Sequence, residues 1–86
     1  MMTIDTKKIE GLIEAKISGA RARVVDLDGG GQHWEVSVVT DSFEGMGLVD
    51  RHRMVYAALG SLVGNEMHAV KLVTLTKNES KGNNHD

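Results

Sequence analysis

The chain's 86 residues carry 10 Lys and Arg against 12 Asp and Glu, a net charge of −2 with His neutral, and 41% of them are hydrophobic. That is the composition of one globular domain, and its length confines it to a single modest two-layer core without a large enclosed active site. The absence of Cys excludes disulfides, thiolate zinc sites, a catalytic thiol and an iron–sulfur site built from this chain alone.

Asp5 is placed to cap a first helix over about residues 6–17, whose apolar positions Ile9, Leu12, Ile13 and Ile17 recur at three- and four-residue spacing. Ser18 and Gly19 end it. A short β-branched run from Arg21 through Val24, Val25 and Leu27 then stops at Asp28-Gly29-Gly30-Gly31, which reads as a strand entering a flexible hairpin loop. After Gln32 the stretch His33–Val39 alternates, with Trp34, Val36 and Val38 on one face, and predicts a second strand antiparallel to the first. Phe43-Glu44-Gly45-Met46-Gly47 is a connector with room for one helical turn and with Met46 as a candidate exposed contact.

A longer helix follows, with Leu48, Val49, His52, Val55, Tyr56, Leu59, Leu62 and Val63 as its expected buried stripe and Gly64-Asn65 as its cap. His68–Leu75 predicts a third strand, and the helix between strands 2 and 3 makes them parallel neighbours joined by a right-handed crossover. Residues 77–86, KNESKGNNHD, are polar and aperiodic and are expected to form a disordered tail that includes His85. The order gives a three-stranded mixed sheet with helices on one face, an α+β two-layer sandwich over residues 1–76.

The opening MMTIDTKKIEG has no apolar signal core, and no apolar run reaches the roughly 18 residues of a membrane span. The expected compartment is the cytoplasm, with no membrane partner. A pI near 6.0 argues against generic attraction to nucleic acid, and three aromatic residues, Trp34, Phe43 and Tyr56, give little platform for base stacking.

Chemistry therefore falls to histidine. If strands 2 and 3 are parallel, His33 and His68 open them at the same edge of the sheet, where they could face a common partner. Two imidazoles half-fill a tetrahedral metal site, so thiolates supplied in trans would have to complete it, as in a cluster held by two His and two Cys. The structural alternative is that each His caps a strand end or bonds a carbonyl. Arg51-His52-Arg53 on the long helix reads either as an anion- or partner-contacting patch or as a half-buried, hydrogen-bonded His52 flanked by solvated arginines pairing with Asp50 or Glu44. Gly29–Gly31 enters a strand and not a helix, so a phosphate-cradling loop is absent. No nucleophile stands beside a base, and the chain is expected not to be an enzyme.

Val39-Thr40-Asp41-Ser42-Phe43-Glu44-Gly45, then Leu48 through Leu59 with its Arg51-His52-Arg53, then Met67-His68-Ala69-Val70 together resemble the BolA family, and the likeness runs over about residues 5–76. The resemblance implies an αββααβ domain similar to the class II KH-like folds, the extra helix being the turn near Ser42–Gly45. It also implies a monothiol glutaredoxin as partner and a two-iron two-sulfur cluster shared with it, glutaredoxin and glutathione giving thiolates and this chain imidazole. His68 matches the family's His-Ala-Leu histidine. Many members place a His or Cys in the loop that here is Gly29-Gly30-Gly31, which leaves His33 as the nearby second candidate. Thr74-Leu75-Thr76 fits, whereas the Pro and Trp that often follow are replaced by Lys77-Asn78-Glu79.

Two functions are thereby expected to compete. One is an accessory protein in iron–sulfur cluster handling or iron sensing, with metal ligands His68 and His33. The other is a KH-like nucleic-acid-binding transcriptional regulator, for which Arg51, Arg53, Arg21, Arg23 and Lys71 are the candidate contacts, DNA the candidate partner and a homodimer a further expectation.

Overall fold

The computed structural model describes residues 5–83, in the order α1 (Thr6–Lys16), β1 (Arg21–Asp26), β2 (His33–Val39), α2 (Leu48–Leu59), β3 (Ala69–Leu75) and α3 (Lys77–Asn83). Two 3-10 turns, Asp41–Phe43 and Gly60–Leu62, stand before and after α2. The sheet order is β1-β2-β3, with β1 antiparallel and β3 parallel to the central β2. The expected mixed sheet is therefore present, with β2 and β3 paired in parallel across the intervening α2.

Alternation divides the sheet into two faces. Ala22 and Val24 of β1 and Trp34, Val36 and Val38 of β2 are buried beneath Ile9 and Ile13 of α1, its C-capping Ile17, and Val55, Ala58 and Leu59 of α2, with Phe43 and Met67 closing the ends of this core. The opposite face presents Arg21 and Arg23 from β1, His33 and Glu35 from β2, and Ala69 and Lys71 from β3.

The α1 helix starts where Asp5 accepts a bond from the Lys7 N–H. It also closes an edge of the sheet. Odd-numbered residues of β1 pair with β2, so the N–H groups of Ala22 and Val24 point away from the sheet. They donate to Glu14 Oε2 and Glu10 Oε2, both at 2.9 Å. Four residues of helix rise about 6 Å and two residues of strand about 6.8 Å, so carboxylates one turn apart meet alternate strand amides.

Three expectations need correction. The long helix stops at Leu59, not Val63, because Gly60 takes φ +60°, a conformation that L side chains rarely adopt, and the chain tightens into a 3-10 turn. Its buried stripe is also rotated. Leu48, Val49 and Tyr56 are exposed, while Arg51, expected outside, is largely covered, with 13% of its side chain accessible. The third correction concerns the tail, since residues 77–83 are helical. Thr76 and Glu79 form a reciprocal capping box in which the Glu79 N–H donates to Thr76 Oγ1 at 3.1 Å and the Thr76 N–H to Glu79 Oε1 at 2.9 Å. Residues 84–86, with His85, lie outside the described residues.

Candidate functional site

The histidines expected at one sheet edge do share it. In the parallel register His33 stands opposite Ala69, the neighbour of His68, and the Ala69 N–H donates to the carbonyl of Gln32 at 3.2 Å. Both histidines are exposed. The third strand begins at Ala69, so His68 belongs to the bend that leads into it.

The loop before His33 carries a network of bonds from its two carboxylates to its glycine amides. Asp26 Oδ1 accepts the N–H of Gly29 at 3.0 Å, and Asp26 Oδ2 accepts that of Gly31 at 3.0 Å. Asp28 Oδ1 accepts the N–H of Gly30 at 2.9 Å. Gly29 and Gly31 sit at φ +73° and +78°, which lets the backbone curl around these two carboxylates. On its core side the loop is fastened by Trp34, whose indole Nε1–H donates to the Gly31 carbonyl at 3.1 Å.

His33 joins this network through Nδ1, 2.7 Å from Asp28 Oδ2. The hydrogen bond from His33, followed by that from Gly30, lowers the Asp28 carboxyl to about 2. On the same face Glu35 Oε2 stands 3.8 Å from Lys71 Nζ, so that carboxylate is paired across to β3. Among the described residues no group of three His, Cys, Asp or Glu is arranged to hold a metal ion. The donors available at this end are the two exposed imidazoles, half of what a four-ligand iron or zinc site requires.

Arg51 and Met46 have other duties. Arg51 Nε donates to the Met46 carbonyl at 2.9 Å and Nη1 to the Thr74 carbonyl at 3.2 Å, while Nη1 and Nη2 reach Glu79 Oε1 and Oε2 at 2.7 and 3.2 Å. Its guanidinium carbon lies 5.7 Å from the centre of the Phe43 ring. The residue expected to contact a partner or pair with Asp50 or Glu44 thus ties the connector, the end of β3 and α3 together. Glu79 raises the Arg51 pKa above its ordinary value, and Arg51, followed by the Thr76 amide, lowers Glu79 to about 2. Met46 is half-buried against the core and not an exposed contact. His52 is half-buried too, but its Nε2 is covered and has no hydrogen-bond partner among the described residues, contrary to the bonded His expected. Arg53 remains exposed.

Sequence reading missed Asp28 as the partner of His33, although Asp-x-Gly spacing ahead of a strand marks an Asx-type turn. It also missed Glu79, for which the Thr-x-x-Glu pattern of a capping box was the signal. Among the described residues no helix is long and apolar enough to cross a membrane.

Comparison with known proteins agrees with this architecture. Residues 14–79 match the family model for BolA-like protein. The chain is 37% identical over 70 residues to Protein BOLA2 of Arabidopsis thaliana, covering 80% of this chain and 74% of that one. It is 37% identical over 83 residues to the DNA-binding transcriptional regulator BolA of Escherichia coli K12, covering 88% and 79% respectively. Among solved structures, a bolA protein homologue from Coxiella burnetii superposes with a TM-score of 0.77 at 35% identity, over 92% of this chain and 99% of that one. With sheet order, the paired strand starts and the sequence match in agreement, the chain belongs to the BolA family.

Proposed function

We propose that this chain is an accessory binding protein, not an enzyme, that docks on a monothiol glutaredoxin and shares a two-iron two-sulfur cluster with it. The observation that carries the reading is the parallel β2–β3 register, with His33 opposite the neighbour of His68 and both imidazoles open to a partner. Two neutral nitrogens and no thiol are the donor set of one half of a mixed His/Cys cluster, so the thiolates come from glutaredoxin and its glutathione. The cluster would supply redox-sensitive iron, and this chain would supply His68 as the first ligand and His33 as the second. Replacing thiolate by imidazole raises a cluster's potential, which suits a complex that hands on a cluster or reports on iron. The absence of Cys makes cluster binding conditional on the partner, and cytoplasmic action follows as part of the same proposal.

The test is to titrate a cluster-loaded monothiol glutaredoxin with the protein and follow visible absorption and circular dichroism. The wild type should reshape the spectrum, and His68→Ala should leave the glutaredoxin spectrum unchanged. Identical spectra with and without the wild-type protein would sink the reading.

A second reading, nucleic-acid binding, has one observation in its favour. Arg21 and Arg23 of β1 and Lys71 of β3 share the sheet face opposite α1 and α2, and Arg21 lines an open cleft with Lys77, Ser80 and Lys81 of α3. The Escherichia coli relative is named as DNA-binding. Affinity for DNA that falls steeply with salt and is lost in Arg21→Gln would support this reading, and salt-independent or absent binding would remove it.

A further inference from the structure

The sequence places a carboxylate five residues ahead of His33, and the fold turns that spacing into a contact. The glycine loop doubles back so that Asp28 Oδ2 meets His33 Nδ1 at 2.7 Å, although the side chains are 41% and 63% exposed. Two exposed side chains ordinarily gain little from pairing, because each loses rotamer freedom. Here one of them is already fixed. Asp28 Oδ1 is engaged by the Gly30 amide, and Asp26 holds the Gly29 and Gly31 amides on either side. The acceptor is thus part of the loop's own frame before the imidazole arrives.

We propose that Asp28 is a positioning residue for His33, accepting its Nδ1 proton so that Nε2 keeps its lone pair and is the atom presented to an iron of the partner-held cluster. The inference rests on the cluster-sharing reading above and adds to it the nitrogen that binds and the group that selects it. A neutral imidazole carries one N–H and one lone pair, and a carboxylate acting only as acceptor fixes the N–H on the side it faces. The same contact makes the far nitrogen a stronger donor and sets the direction of the ring, the usual role of a carboxylate behind a metal-bound histidine. Nearby carboxylates do not compete, since Glu35 is turned to Lys71 and Asp26 is occupied by backbone amides. His68 shows no side-chain hydrogen bond to the described residues, so the two candidate ligands differ: His33 is held in place, and His68 is free to follow the partner. A loop with Gly29-Gly30-Gly31 in place of a ligand can therefore still serve the site by carrying the carboxylate that aims His33.

The test uses the whole protein and two readouts. In the cluster-free protein at about pH 8.5, where an ordinary histidine is neutral, ring 15N NMR should find His33 protonated on Nδ1 and bare at Nε2. Asp28→Ala should move it toward the Nε2–H tautomer, and Asp28→Asn, whose amide oxygen can still accept, should fall between. Titration of cluster-loaded glutaredoxin should then show affinity lowered roughly 10- to 100-fold by Asp28→Ala, a similar loss in His33→Ala, and no further loss in the double variant. An unchanged tautomer in Asp28→Ala overturns the positioning role. A changed tautomer with wild-type titration curves for both Asp28→Ala and His33→Ala overturns the link to the cluster, while His68→Ala in the same assay reports separately on cluster sharing. Asp28→Ala weaker than wild type but with His33→Ala unaffected also overturns the proposal, because the loss would not pass through the imidazole.

Discussion

Replacing both Glu10 and Glu14 by Ala removes the acceptors that α1 offers to the outward amides of Ala22 and Val24. A hydrogen bond to a charged group contributes about 1.5–3 kcal/mol, and these two are only partly buried, so water takes up some of the loss. Alanine also favours the helix slightly over glutamate, which offsets a few tenths of a kcal/mol. The expected cost is about 1 kcal/mol per site and about 2 kcal/mol for the pair, equivalent to about 8–16 °C in Tm for a domain of this size. Urea unfolding followed by circular dichroism would measure it, with Lys8→Ala, an exposed change on the same helix, as the control. The Glu10→Gln, Glu14→Gln pair keeps two acceptor oxygens and should recover about half of the loss. A second signature is association, since an uncovered strand edge templates pairing with another chain. Sedimentation velocity should show concentration-dependent growth in the double-Ala variant. A double-Ala variant that unfolds with the control and stays monomeric would refute the view that helix carboxylates seal this edge.

The remaining predictions concern pH, the core and the loop. Glu79 titrates well below its ordinary 4.5 because of Arg51 and the Thr76 amide, so its contribution is full above about 4.5 and is lost as pH falls toward about 2. In that window α3 should fray, read from the Ser80 amide by NMR, and Glu79→Gln should abolish the acid transition while weakening the helix at neutral pH. Asp28 is lowered for a corresponding reason, by His33 and then Gly30, and acidification toward about pH 2 should release the Gly30 amide and the His33 ring from its carboxylate. Phe43→Ala empties a fully buried position beneath Arg51 and should cost about 3–5 kcal/mol in urea unfolding. Gly29→Ala forces a side chain onto φ +73° and should cost about 1–2 kcal/mol, although open space surrounds the site.

How far the sequence could be read depended on the kind of interaction. Trp34, Val36 and Val38 announced their face because alternation follows directly from strand geometry. The parallel pairing of β2 and β3 followed from the helix between them, and with it the shared edge of His33 and His68. Arg51 departs from expectation because its cover combines the nearby Met46 carbonyl with two acceptors remote in sequence, the Thr74 carbonyl and the Glu79 carboxylate, which no local pattern brings together. The α2 stripe differs from expectation for another reason. Ala58 is buried while bulkier Leu48, Val49 and Tyr56 stay exposed, so side-chain size alone misled the assignment. Glu10 and Glu14 find their partners only in the adjoining edge strand, which no pattern within the helix announces. The capping box at Thr76 and Glu79 was legible, yet the polar composition around it outweighed a two-residue signal.

The Arg51 knot lies at the finish of β2 and β3, and the histidines lie at their start. Seven residues of strand put these two poles about 20 Å apart. A tether attached beyond α3 therefore leaves from the end that a partner gripping the imidazoles does not touch. Anchored in that way to a sensor surface or a reporter domain, the molecule would hold its histidines outward, and engagement at one pole could be recorded without strain at the other.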